Sequence, residues 1–243
     1  MRALLAVWIF LMPASAFAQD CVILLHGLGR TSASFLLMEE ALKGFGFRVV
    51  NHSYKSTKAS PDKLVGHVDR SMTECAGADR VHFVTHSMGG ILLRLWLASH
   101  RSGNLGRVVM LGPPNHGSEV ADKLGDLNLL KALTGPAGET LRTGAAGITG
   151  KLGVADFDLG VIAGNLSPNP VLASLFKGPN DGKVSVESTK LDGMRDHIVL
   201  PTAHTFMTNN PLVIAQVLDF LRLGRFDHDL TLGELLRRVV IRD

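Results

Sequence analysis

Ser87 lies in the stretch Thr85-His86-Ser87-Met88-Gly89-Gly90, after Val81, Phe83 and Val84 and before the apolar run 91–97. The first apolar group reads as a short strand and the second as a helix, so the serine falls in the turn between them. Gly89 and Gly90 permit a tight turn and close packing there. A serine at that place can simply cap the helix, but a cap does not call for the surrounding pattern. The pattern matches G-x-S-x-G, with Thr85 at the first position, in which a serine is presented on a sharp strand-to-helix turn. The chemistry on offer is nucleophilic. A hydroxyl attacks well only when a base takes its proton and an acid orients that base. Ten histidines and 22 acidic residues could supply the pair, so the surrounding elements must choose among them.

Those elements alternate. "CVILLHG" reads as a buried strand and "SFLLMEEALKGFG" as a helix with Phe35, Leu36, Met38 and Leu42 on its apolar face. "FRVVNHSY" supplies a second strand. Ser60-Pro61 opens a helix as N-cap and first-turn proline, with Leu64, Val65, Val68 and Met72 on its inner side. "RVHFVTH" is a third strand, residues 89–101 a third helix and "LGRVVMLG" a fourth strand. "FDLGVIAGN" and "DHIVLP" are two more strands, followed by a helix over 210–222. The tail from Gly224 reads as a surface helix or strand. This order predicts an α/β fold, a parallel sheet of about six strands covered by helices on both faces.

"LLHGLGRTS" places Gly27 and Gly29 between a strand and a helix, close to the dinucleotide-binding G-x-G-x-x-G. Ser32 stands where the third glycine belongs, and the next strand ends in Asn51 and His52 rather than a ribose-binding acid. The other reading is an oxyanion hole, in which backbone N–H groups are aimed at the charge of a tetrahedral intermediate. One donor would be Met88, after the nucleophile. The other would be Leu28, with Gly27 letting the backbone approach closely. His26 would shape that loop.

With these residues in place, the chain resembles a small α/β-hydrolase of the bacterial lipase and esterase type, triacylglycerol lipase-like. The resemblance rests on "HGLGR" at 26–30, "HSMGG" at 86–90, "GPPNHGS" at 112–118, "NDGKV" at 180–184 and "AHTF" at 203–206. It implies the order serine, acid, histidine. His204, after the last strand, takes the base position. His197 is at the start of that strand, and His116 and His228 read as loop or surface residues. Asp181 takes the acid position, with Gly182 giving the turn that aims its carboxylate. Asp192 and Asp196 are the rivals, in a loop that enters the final strand from the opposite end of the sheet. The implied reaction is ester hydrolysis through an acyl-enzyme on Ser87. It needs no metal or organic cofactor. A catalytically inactive binding protein on the same fold is a further reading.

The first residues, "MRALLAVWIFLMPASAFAQD", have one arginine, a short apolar run and Ala16-Phe17-Ala18. This is the layout of a secretory signal peptide over 1–18, leaving 19–243 as the hydrolase domain. A periplasmic or secreted protein is expected. Cys21 and Cys75 are too few for a zinc site and are expected to pair as a disulfide in an exported protein. The resemblance puts them at the end of the sheet opposite Ser87. A formal net charge of +3, with scattered basic residues, shows no nucleic-acid footprint. The expected partners are a small-molecule or lipid ester and, transiently, a lipid surface, with the chain a monomer. Residues 115–155 carry Val120, Leu124, Leu127, Leu129, Leu130 and Leu133 among glycines. They read either as a helical excursion over the sheet or as a lid or acyl-binding wall, with Leu129 and Leu130 as its substrate contacts.

Overall fold

The computed structural model describes residues 19–124, 135–138, 140–144 and 147–240. Strands β1 (Cys21–Leu25), β2 (Arg48–Asn51), β3 (Val81–His86), β4 (Leu105–Leu111), β5 (Leu159–Gly164) and β6 (Asp196–Leu200) form one six-stranded sheet. Its order is β2-β1-β3-β4-β5-β6 and every neighbouring pair is parallel. Parallel neighbours need long crossovers. Early ones are supplied by α1 (Leu36–Gly44), by α2 (Pro61–Leu64) with α3 (Gly66–Glu74), and by α4 (Met88–Ser99). The chain steps outward from β1 to β2, then returns past β1 to β3 and on to the far edge. Ligands of open parallel sheets bind beyond the carboxyl ends of the strands where the order reverses, here β1 and β3. The dinucleotide-binding order 3-2-1-4-5-6 is a different one.

Alternation along the strands feeds two layers. Cys21, Ile23 and Leu25 of β1 join Val108 and Met110 of β4 under Leu64, Val68, Ile91 and Leu92 of the α2–α4 side. Val22, Leu24, Val109 and Leu111 face Phe35, Met38 and Leu42, together with Val217 and Phe220 of the helix Pro211–Leu223. Every residue of β1, β3 and β5 is buried, as a parallel sheet covered on both faces requires. Each buried Val, Leu, Ile or Phe contributes about 2 kcal/mol relative to exposure, which is what holds the strand ends still.

Three details differ from, or sharpen, the sequence expectation. Leu36 is 57% exposed, whereas Phe35, Met38 and Leu42 are buried. Steps of three and four keep those three on one face, and Leu36 lies about 100° round the helix from Phe35. Pro61 does open α2, but the Ser60 side chain makes no capping bond. The tail folds as the helix Leu232–Val240, after Gly224 closes the preceding helix in the left-handed conformation.

Cys21 and Cys75 are joined by a disulfide, with Cα atoms 5.8 Å apart. Cys21 is the first residue of β1 and pairs in register with Val81, so the bridge lies at the end of the sheet away from Ser87. Leu127, Leu129, Leu130 and Leu133 lie outside the described residues, as does the segment 1–18. The flanking parts of 115–155 that are described pack inward: Ala137, Leu141 and Ala155 are buried, with Ile148 and Leu152 against the same layer as α4.

Candidate active site

Ser87 stands immediately beyond the carboxyl end of β3, at φ 54° and ψ −124°. Among the described residues it is the one non-glycine with positive φ. Such a conformation costs an L residue about 1–3 kcal/mol and persists only where the surroundings impose it. The imposition is visible. A Cβ on Gly89 would lie 2.2 Å from the Leu25 carbonyl oxygen, so α4 starts hard against the end of β1. A Cβ on Gly27 would lie 3.1 Å from Ser87 Cβ and 3.0 Å from His86 Nδ1. The Ser87 N–H donates to the Leu111 carbonyl at 2.9 Å. The side chain makes no capping bond to α4, so helix capping does not account for this serine. Thr85, at the first position of the pattern, is accommodated by the second glycine: its Oγ1 is 3.2 Å from where a Gly90 Cβ would sit.

The next carboxyl end, that of β4, links the serine to an acid and a base. Gly112 follows Leu111 at φ 52°, and a Cβ there would lie 3.0 Å from Asp181 Oδ2 and 3.1 Å from His204 Nδ1. His204 opens the short helical turn His204–Asn209 after β6 and is 4% exposed. Its Nδ1 donates to Asp181 Oδ2 at 2.7 Å. With that proton on Nδ1, Nε2 is the basic nitrogen. Asp181 is 1% exposed, and its Oδ1 accepts the N–H groups of Lys183 at 2.9 Å and Val184 at 2.8 Å. Its carbonyl accepts the His204 N–H at 3.0 Å, fixing the two loops to each other. Gly182, at φ 92°, makes the turn that lets one carboxylate serve both partners. The Ser87 hydroxyl makes no hydrogen bond among the described residues.

The rival residues are engaged elsewhere. Asp196 accepts from the Phe226 N–H and pairs with His228. His197 meets Thr189 Oγ1 at 3.0 Å. His116 is exposed, and Asp192 contributes its carbonyl to the Ala155 N–H. Two backbone donors are uncommitted. The Leu28 and Met88 N–H groups have no acceptor among the described residues, while the Gly29 N–H donates to Ser56 Oγ at 2.9 Å and the Gly90 N–H to the Ser87 carbonyl at 3.0 Å.

Several neighbours hold the site's loops in place, His26 among them as expected. His26 donates from Nδ1 to the Gly27 carbonyl at 2.9 Å and accepts the Tyr54 N–H on Nε2 at 3.1 Å. Tyr54, the single tyrosine, stacks on the ring at 3.9 Å and donates its hydroxyl to the His26 carbonyl. Burial lowers the His26 pKa, so the ring holds the loop as a neutral donor and acceptor. His86 donates from Nε2 to the His204 carbonyl at 3.0 Å and packs on the His204 ring with centroids 4.7 Å apart. Burial, then His204, puts its pKa well below the ordinary value. Arg94 is the lone charge in the apolar run of α4. It donates to Asn115, Leu152 and Gly153, tying the loop after β4 to the segment near 152. Burial lowers its pKa to about 10. An arginine inside an otherwise apolar run was the one available clue to that tie. A groove of about 400 Å³ between Leu166, Pro168, Pro201 and Phe206 lies behind the His204 loop and does not include the serine.

Solved structures share this arrangement of sheet and helices. The lipase BlEst2 of Bacillus licheniformis, in mature form, is 19% identical with a TM-score of 0.66, over 85% of this chain and 92% of its own. The chain has the α/β-hydrolase fold. The phospholipase PlaB of Legionella pneumophila is 15% identical with a TM-score of 0.65, over 86% of this chain and 60% of its own. A metagenomic carboxyl esterase, MGS0156, is 16% identical with a TM-score of 0.59, over 94% of this chain and 77% of its own. No family model matches the chain, and no curated protein matches its sequence. At such identities the likeness is one of fold, and function must be argued from the site.

Proposed function

We propose that this α/β-hydrolase cleaves carboxylic esters, with acyl or lipid esters as its substrates, through Ser87, His204 and Asp181. The observation that carries the reading is the buried 2.7 Å bond from His204 Nδ1 to Asp181 Oδ2, with the His204 ring packed on His86, the residue before a serine held at φ 54°. A strained serine one residue from the packing partner of an oriented imidazole fits acyl transfer. Ser87 Oγ attacks the ester carbonyl as His204 Nε2 accepts its proton. The C–O bond to the alcohol then breaks, and His204 returns the proton to the leaving oxygen. Water attacks the acyl-enzyme by the same route, releasing the acid and restoring Ser87. The free N–H groups of Leu28 and Met88 hold the negative oxygen in both steps. Asp181 keeps the imidazole in the correct tautomer and stabilises it when it becomes positive.

Leu129 and Leu130 belong to this proposal as the wall of the acyl site. Leu129→Asp or Leu130→Asp is expected to depress turnover of octanoyl esters far more than of acetyl esters, since each buried methylene contributes up to about 0.8 kcal/mol. Equal losses on both esters would remove the two leucines from the site. Export to the periplasm or medium is part of the same reading, supported by the Cys21–Cys75 bridge, which suits an oxidising compartment.

The experiment is hydrolysis of p-nitrophenyl esters by the wild type and Ser87→Ala. Turnover is expected to fall on the order of 10⁶-fold with the fold intact. A variant retaining a tenth of the activity would dismiss Ser87. Binding of a dinucleotide by a wild type inert toward every ester would favour the other reading of the first glycine loop.

A further inference from the structure

Two cations flank this site, and neither forms an ion pair among the described residues. Arg30 ends the "HGLGR" loop, and its side chain makes a single hydrogen bond among the described residues, from Nη2 to the Thr205 carbonyl at 2.8 Å. Thr205 follows His204, so the guanidinium is fastened to the base loop. Its Nε is buried with no partner. Lys183 stands two residues after Asp181, and its N–H is held by the Asp181 carboxylate at 2.9 Å. Its ammonium makes no hydrogen bond or ion pair among the described residues. Of the nearby carboxylates, Asp181 serves His204, while Glu119 takes the Ser185 hydroxyl on Oε1 at 2.5 Å and keeps a buried Oε2 without a partner.

The two positive groups also feel each other. Although Lys183 as a residue is exposed, burial of its ammonium and then repulsion from Arg30 lower its pKa, against the attraction of Asp181. Both cations add to the repulsion acting on His86, the residue packed against His204. Bringing like charges toward one another from separate loops disfavours folding.

We propose that Arg30 and Lys183 bind an anionic group, a phosphate or a carboxylate, on the alcohol half of the substrate. The side follows from the chemistry of His204. It must reach the leaving oxygen to protonate it, so groups fastened to the His204 and Asp181 loops border the departing alcohol. The inference rests on the ester-hydrolase reading and narrows it: the substrate is an acyl ester of an anionic alcohol, such as an acylated phosphoglycerol or an acyloxy acid.

The test uses three acetyl esters that differ in one group: 3-acetoxyphenyl phosphate, 3-acetoxybenzoate and the neutral methyl 3-acetoxybenzoate. The quantity read is the ratio of kcat/KM for each anion over the neutral ester, which cancels both leaving-group reactivity and partial misfolding of a variant. In Arg30→Gln and Lys183→Gln each ratio is expected to fall at least about tenfold from its wild-type value, the worth of one charge-assisted contact. The change should lie in KM, and Arg30→Lys and Lys183→Arg should recover most of it. A larger fall in the phosphate arm assigns a phosphate, and a larger fall in the carboxylate arm assigns a carboxylate. Ratios that stay put in both glutamine variants, with the neutral ester still hydrolysed, overturn this inference alone. Failure of the wild type to cleave any of the three overturns the ester-hydrolase reading first.

Discussion

At the scale of single residues, the proposed chemistry separates Asp181 from the other acids of its region. Asp181→Asn preserves the shape but lets the His204 ring take the wrong tautomer, and turnover is expected to drop about 10⁴-fold. Asp192→Asn and Asp196→Asn, which lie away from His204, are expected to leave turnover within about twofold, well under 1 kcal/mol. A larger loss at either than at Asp181 would transfer the acid role. A second expectation concerns pH. Burial lowers the pKa of His26, His82, His86 and His197 in the folded protein. The unfolded chain, with histidine near 6.5, therefore binds more protons at mildly acidic pH. Stability is complete above that value and is lost as pH falls below it, by up to about 1.4 kcal/mol per unit for each histidine. Denaturant midpoints that stay flat from about pH 7 to 5 would contradict this. His86→Asn is expected to flatten the slope. Of the candidate site, the placing of Ser87, Asp181 and His204 at the carboxyl ends of the strands was legible because a motif or chain order marks each of them. His86, Arg30 and Lys183 were not, since their roles come from what three separate loops bring together, and no spacing within one segment encodes that.

At the scale of elements, the strand-to-helix turn at Ser87 depends on glycine where backbone meets backbone. Gly89→Ala would drive a Cβ to 2.2 Å from the Leu25 carbonyl oxygen, which is part of β1 and cannot step aside. A loss of at least about 2 kcal/mol in chemical denaturation is expected, together with lost activity, because the nucleophile's turn must shift. An unchanged midpoint would mean that α4 does not start where it is described. The order of strands and helices was legible from periodicity, since strand-forming runs of four to seven residues and amphipathic stretches alternate along the chain. Less was legible at the edges of elements. Leu36 is apolar yet exposed, because a helix of nine residues shows its partner layer only one narrow stripe. Thr85 departs from the usual glycine of the turn, and only the packing of Gly90 against its hydroxyl shows why it fits.

At the scale of the molecule, the sheet separates stabilising chemistry from reactive chemistry. The disulfide closes a loop with a sequence separation of 54 at one end of the strands, and the candidate site occupies the other. Replacing both cysteines by serine is expected to cost about 4 kcal/mol on chain-entropy grounds while leaving turnover per folded molecule unchanged. A matching loss of turnover at full folding would show that the two ends communicate. The parallel sheet was legible as a class, because alternating strands and helices admit few other arrangements. Whether 115–155 packs over the sheet or walls an acyl site was not, because leucines among glycines fix neither a period nor a face. The central claim, that Ser87 is a nucleophile activated by His204, is tested most directly by covalent labelling with a fluorophosphonate followed by peptide mass mapping. One adduct per chain is expected, on the peptide that contains Ser87, forming far more slowly in His204→Ala and absent in Ser87→Ala. Labelling at another serine, or ester hydrolysis that continues with Ser87 unmodified, would contradict the account.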